Sequence, residues 1–298
     1  MHRDTKVVCL EQQPAEDLAE KPGTEPLMDF GARSDVGRVR KNNEDNYLVV
    51  PGLNLLVLSD GMGAMASGEI ASRLTVGTVY TYCRESSADP SLPLVGVRIK
   101  EVSETCNRLA SAIQLANRIV YERGMEEALP QKMGATVVAV RYANGRMSVA
   151  HVGDSRAYRL RGDYLEQLTR DHSFVAELRE QQPGKFSDNA SNLQHLLTRA
   201  VGIEPHVEVD VSDELVLEND IFLLCSDGLT REVSDNEIAS ILGNATNAQE
   251  AAEELVALAN EAGGQDNITA IVIRPASNYS ATQSRMSRFR SWFSRRRY

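Results

Sequence analysis

The chain has 298 residues, 42% of them hydrophobic and 25% charged, and a formal net charge of −10. That apolar content can build a substantial core, and the acidic balance argues against a nucleic-acid-binding body, which rests on basic phosphate contacts. Cys9, Cys83, Cys106 and Cys225 are scattered and read as reduced thiols; no run approaches the roughly 18 apolar residues of a membrane span and no apolar signal region opens the chain, so a cytoplasmic protein is expected.

Residues 1–27, rich in Glu, Gln, Pro and Ala, read as a solvated or disordered leader. Order is expected to begin near Met28. Residues 46–50 form a strand, Pro51-Gly52 supplies turn chemistry, and a buried return strand runs from Leu53 to Leu58 into Ser59-Asp60-Gly61-Met62-Gly63. Ile70, Leu74 and residues 77–80 fit a helix packed on a sheet, residues 84–95 read as loop, and Leu109, Ile113, Ala116 and Val120 mark a helix over about 102–126. Residues 136–140 and 147–152 are strands joined at Asn144-Gly145, a strong hairpin signal. The second runs into Gly153-Asp154-Ser155-Arg156 and a further strand from Ala157. Residues 173–195 suit an irregular surface insertion. Residues 220–226 are another buried strand, ending in Asp227-Gly228. Asn247 and Glu250 resemble a capping box opening a helix that stops at Gly263-Gly264. Asp266-Asn267 then precedes a last strand, 268–273. The strands come as hairpins rather than β-α-β units, which favours an α+β fold with an antiparallel sheet or sandwich and helices outside.

The chemistry sits at the strand ends. Asp45 precedes the first strand and Asp60 follows the second, and in an antiparallel pair these positions share one open end. Two like charges held together imply a bound cation or a raised pKa. Asp227 also ends a buried strand and Asp266 precedes one, so the topology can gather four aspartates at one edge. Any single Asp-Gly is more simply a turn, but turns alone do not require Asp at all four places. Oxygen-only ligands favour a hard ion, Mg²⁺ or Mn²⁺, over zinc. His2, His151, His172, His195 and His206 are read as isolated from one another; His151 suits a packed strand position and His172 a loop anchor.

Five motifs occur in order: Arg40-x-x-Asn43-Glu44-Asp45, Asp60-Gly61-Met62-Gly63, Gly153-Asp154-Ser155-Arg156, Cys225-Ser226-Asp227-Gly228-Leu229 and Gly264-x-Asp266-Asn267. Together they make the chain resemble the metal-dependent (type 2C) serine/threonine protein phosphatases in their compact bacterial form, over about residues 29–275. The resemblance implies a β-sandwich of two antiparallel sheets flanked by helices, in α-β-β-α layers, forming a catalytic domain over 28–277. It implies hydrolysis of phosphoserine and phosphothreonine by a water that two Mn²⁺ or Mg²⁺ ions activate, opposing a bacterial Ser/Thr kinase. Asp60 would bridge the ions, the Gly61 carbonyl would complete a shell, Asp45 would lie on the pair, and Glu44 would hold metal-bound water. Asp227 and Asp266 would ligate the other ion, and Arg40 would grip the substrate phosphate. Asp154 would help hold a third ion, but Arg231 stands where many members carry another Asp, so that ion is expected to bind weakly or not at all.

Other departures are Met62 two residues after Asp60, Ala64-Met65 where Gly-His is usual, and Ala135 before Thr136; none removes a metal ligand. Two rivals, a binding module that has lost catalysis and a hydrolase of small phosphoesters, find less support. The first has no need of all four aspartates and Arg40; the second finds no P-loop here. The tail, 278–298, carries six arginines, no acid, and Phe289, Trp292 and Phe293. A solvated basic end is the plainer reading; the sharper one is a short helix for an anionic membrane surface or an acidic partner.

Overall fold

The structure, a computed structural model, describes residues 28–63, 67–126, 133–181 and 196–275. The leader, Cys9, Ala64-Met65 and the basic tail lie outside them. In chain order the elements are β1 (Met28–Asp35), β2 (Asp45–Val50), β3 (Leu55–Met62), α1 (Ser67–Ala88), α2 (Glu104–Gly124), β4 (Gly134–Ala135), β5 (Val137–Ala143), β6 (Arg146–Val152), β7 (Arg156–Arg161) and β8 (Tyr164–Gln167). There follow α3 (Phe174–Gln181), β9 (Asp210–Leu215), β10 (Ile221–Cys225), the single turn α4 (Asp227–Thr230), α5 (Asp235–Asn244), α6 (Ala248–Ala262) and β11 (Ile268–Pro275).

All strand pairings are antiparallel. One sheet runs β1-β11-β10-β7-β8; the other runs β2-β3-β5-β6-β9, with β4 paired to β3. Side chains alternate across a strand, and both faces of β3 are buried. Leu56 and Leu58 point between the sheets to meet Phe222, Leu224 and Ile271, while Leu55 and Val57 face α1 and α2 through Val79, Leu109 and Ile113. On the far side, Leu223 and Val272 pack against α5 and α6 through Ile238, Leu242, Ala251 and Leu255. The result is the expected α-β-β-α sandwich, in which central strands are apolar on both faces because both are covered.

Asn144 and Gly145 take φ of 53° and 76°, the left-handed pair that an Asn-Gly hairpin turn needs. Pro51–Leu53 forms a 3₁₀ turn closed by left-handed Asn54, so the return strand begins at Leu55 rather than Leu53. The loop expected from residue 84 starts only after Ala88, and within the extended helix Ser86 and Ser87 satisfy their hydroxyls by bonding back to the Cys83 carbonyl. Within the expected irregular insertion, 174–181 is helical, with Ser173 Oγ accepting from Ala176 N–H; residues 182–195 lie outside the described residues. Asn247 caps α6 as expected, its Oδ1 accepting from Glu250 N–H, while the Glu250 carboxylate accepts from Thr246 N–H. The complete capping box is Ser234 with Glu237, opening α5, which like β1 and β9 was not anticipated.

Candidate metal centre

The β2–β3 register sets Asp45 directly opposite Asp60. Around them a cleft of about 940 Å³ is lined by Arg40, Glu44, Asp60, Asp154, Asp227 and Asp266, among others, with Gly61 in its wall and Asp45 buried behind. All the aspartates singled out in the sequence thus converge with Arg40, Glu44 and Gly61.

The backbone carrying Asp60 is locked from both sides. Its N–H donates to Thr136 Oγ1 at 3.0 Å, its carbonyl accepts from Thr136 N–H at 2.8 Å, and Ser59 Oγ donates to the Thr136 carbonyl. Gly61 N–H donates to the Glu44 carbonyl at 3.1 Å, and a Cβ on Gly61 would sit 2.0 Å from the Gly68 carbonyl oxygen, so α1 can start this close only over glycine. Asn267 ties the other half together. Its Oδ1 accepts from Glu44 N–H, and its Nδ2 donates to the carbonyls of Val36 and Asn42. Gly228 passes over this residue, where a Cβ would lie 2.1 Å from the Asn267 carbonyl oxygen.

Electrostatically the cluster is a concentration of negative charge. Burial, then the opposing Asp45 and Asp227, raises Asp60 well above the usual carboxylate range. Burial carries Asp45 to about 7 even though Thr269 and Ser226 donate to it, and burial with Asp227 nearby carries Asp154 to about 7. Glu44 is raised as well, by burial first. Asp45 Oδ2 accepts from Ser226 Oγ at 2.8 Å and from Thr269 Oγ1 at 2.6 Å. Its Oδ1 is buried and meets no hydrogen-bond donor among the described residues. A buried acceptor that no donor reaches, among carboxylates that repel one another, fits a cation, and the all-oxygen donor set fits a hard divalent one.

Two guanidiniums reach the same carboxylates. Arg40, half-exposed at the rim, donates to Asp266 Oδ2 at 2.8 Å, and Arg231 pairs with both Asp227 and Asp266. Arg231 therefore turns to this pair of carboxylates.

The histidines are not all isolated: His151 and His172 stack with ring centroids 4.7 Å apart, next to Asp210. The trio has the spacing of a metal site, and two of its ring nitrogens are hydrogen-bonded, while His172 Nε2 makes no hydrogen bond of good geometry among the described residues. Gly153 N–H donates to His172 Nδ1, so His172 Nε2 carries the proton and faces Asp210 Oδ2 at 3.2 Å, and His151 Nε2 lies 2.8 Å from the Arg170 carbonyl. Burial pushes His151 down to about 4. His172 is thus an anchor, as read, and what it anchors is the turn bearing Asp154.

The protein phosphatase 2C family model matches residues 38–270. The serine/threonine phosphatase stp of Listeria innocua is 35% identical over 247 residues, 81% of this chain and 93% of its own. The chain belongs to the protein phosphatase 2C family. Among solved structures, PppA of Pseudomonas aeruginosa superposes with a TM-score of 0.69 at 35% identity, covering 83% of this chain and 97% of that one. The catalytic domain of the serine/threonine phosphatase PstP, solved with two manganese ions, gives 0.68 at 34% identity, covering 83% and 97%. The enzyme is a phosphoprotein phosphatase, a metal-dependent hydrolase of phosphoric monoesters on serine and threonine. No helix among the described residues is long and apolar enough to cross a membrane.

Several residues that shape this candidate site had no role assigned from sequence: Asn43, Thr136, Ser226, Asn267 and Thr269. Asn43, Ser226 and Asn267 stood inside the motifs, but nothing in a linear string says that the Asn267 side chain bonds three backbone groups of the 36–44 segment. Replacing Asn267 by Ala is expected to lower divalent-metal affinity roughly 10–100-fold, the usual loss when a group that orients ligands is removed, measured by calorimetric titration.

The raised carboxylates also set a pH dependence for the metal-free enzyme. Between the ordinary carboxylate range near 4 and the value of about 7 for Asp45 and Asp154, the folded chain holds protons the unfolded chain has released. Stability therefore falls as pH rises through that window. His151 has the opposite sign, since burial lowers it, but above about 6.5 it is neutral in both states. Melting in EDTA should accordingly occur at lower temperature near pH 8 than at about pH 6.5, with added Mn²⁺ raising Tm more at the higher pH. A Tm in EDTA that rises over this interval would remove the carboxylate repulsion from the account.

Proposed function

We propose that this cleft is the hydrolytic site, that Asp45, Asp60, Asp227 and Asp266 with the Gly61 carbonyl hold a pair of Mn²⁺ or Mg²⁺ ions, and that residues 28–277 form the catalytic domain. The observation that carries the reading is Asp45 Oδ1, buried without a donor at the centre of converging carboxylates. Bound there, two divalent ions supply Lewis acidity and a nucleophile at neutral pH, so no protein nucleophile is required.

The chain's own residues have distinct tasks. Arg40 grips the phosphate: its guanidinium is always charged, offers paired donors to phosphate oxygens, and sits at the exposed rim where a phosphorylated side chain enters. Glu44, fixed through its backbone to Asn267 and Gly61, would hold a water beside the ions when they are bound. Asp154 supports the cleft from the Gly153 turn. Met62 lines the cleft but has no proton to give the leaving group. Substrates are phosphoserine and phosphothreonine proteins, with a bacterial Ser/Thr kinase as the opposing activity. The basic aromatic tail suits an anionic membrane surface or an acidic partner, beside the plainer reading of a solvated end.

Phosphate release from a phosphothreonine peptide should require Mn²⁺ or Mg²⁺ and stop in EDTA. Asp60→Asn should lower kcat by at least about 100-fold with the fold retained by circular dichroism, because it removes the shared charge from the centre of the cluster. A near-normal rate in that variant would end the two-ion assignment. Arg40→Ala should chiefly raise KM, by roughly 10–100-fold, the worth of a charge-assisted bond to phosphate; an unchanged KM would place the phosphate elsewhere.

A further inference from the structure

Arg231 follows the single turn of α4, four residues after Asp227, and pairs with it at the i, i+4 spacing. Its second terminal nitrogen lies 3.1 Å from Asp266 Oδ2, the same oxygen that accepts from Arg40. One planar cation thus spans two carboxylates delivered by different parts of the chain, α4 and the segment before β11. The setting is neither core nor open surface. The Arg231 side chain is 30% exposed, while those of Asp227 and Asp266 are 13% and 16% exposed. A charge pair at such a depth is screened less than a surface pair, and the forked donors of a guanidinium suit two acceptors in a way that an ammonium does not. Asp45, by contrast, has hydroxyl partners on Oδ2.

We propose that Arg231 is a built-in counter-cation for Asp227 and Asp266, which must give up these oxygens before a divalent ion can take them, and that it thereby sets the metal affinity of this half of the cleft. The inference rests on the metal-centre reading above. Guanidinium and metal are alternative partners for the same lone pairs, so whatever the arginine contributes to the metal-free state is subtracted from metal binding. The same competition gives Arg231 a second consequence: it offsets carboxylate repulsion when no ion is bound, so removing it should weaken the metal-free fold. A residue that merely capped α4 would affect stability and leave metal affinity unchanged.

The test is calorimetric titration of Mn²⁺ into the EDTA-stripped and dialysed full chain, beside Arg231→Gln and Arg231→Lys, with Tm recorded for each metal-free form. The Gln variant should bind Mn²⁺ roughly 5- to 100-fold more tightly, the usual range for coupled binding equilibria, and melt at lower temperature without metal. The Lys variant, with charge but no fork, should fall between it and the parent. Unchanged or weaker Mn²⁺ affinity in the Gln variant overturns the proposal whatever its activity. Should the Gln variant fail to fold, the Lys variant decides: tighter binding supports the counter-cation, unchanged or weaker binding overturns it. Absence of Mn²⁺ binding in the parent and both variants would instead sink the metal-centre reading, so the two failures are told apart.

Discussion

Asp45 and Asp60 face one another across a strand pair, an arrangement of like charges that a sheet ordinarily avoids. The architecture answers it with rigidity. β3 is buried on both faces, pinned between the second sheet and two helices, so its end cannot splay to separate the charges. The Asp60 backbone is further clamped to Thr136, and Thr136 Oγ1 is in turn hydrogen-bonded to Ser155 Oγ at 2.6 Å, next to Asp154. Apolar burial in the sandwich thus holds together a set of charges that would disperse on any softer scaffold, which is how a preorganised site is made.

The site also joins the two sheets. Asp45 belongs to the sheet containing β2 and β3, yet its hydroxyl partners Ser226 and Thr269 come from the end of β10 and from β11 in the other. Asn267, just before β11, holds the loops ahead of β2 by way of Asn42, Glu44 and Val36. Stability and chemistry therefore share residues at this edge. Hydrogen bonds among buried polar groups are worth most when every member is satisfied, and here one oxygen of Asp45 stands outside that rule.

Much of this could be read from the chain because local signals and topology agreed. Strand-end aspartates after apolar runs such as 55–58 and 221–225 give both the element and its chemical end, and hairpin geometry brings such ends together without any long-range guess. Reading failed where the deciding contact lies far away in sequence. β9 is a polar strand, Asp210–Leu215, whose pairing to β6 defines it and whose composition does not. The stacking of His151 on His172 joins positions from β6 and from the loop after β8, and neither residue has a neighbour that foretells it. α1 runs past its expected end, with two serine hydroxyls bonding back to a carbonyl within the helix, a choice that composition leaves open.

The buried histidine pair shows how geometry separates a metal site from its imitation. Both the aspartate cluster and the His151–His172–Asp210 trio gather potential ligands around one cavity or contact. In the trio, His172 Nδ1 accepts from Gly153, its Nε2 faces Asp210, and Arg199 lies 2.6 Å from Asp210 Oδ1. His172 close by, with Arg199 behind it, holds Asp210 well below the usual carboxylate range, so its charge is already matched. The aspartate cluster is the reverse case: Asp45, Asp60 and Asp154 are all raised, and Arg40 and Arg231 both go to the Asp227–Asp266 side of the cleft. An ion entering the trio would meet an aspartate whose charge is already matched by Arg199 and His172, whereas one entering the cleft relieves repulsion among the raised carboxylates. The balance of charge and hydrogen bonding, rather than ligand count, favours the aspartates as the seat of the metal and leaves the histidines to steady the turn beside them.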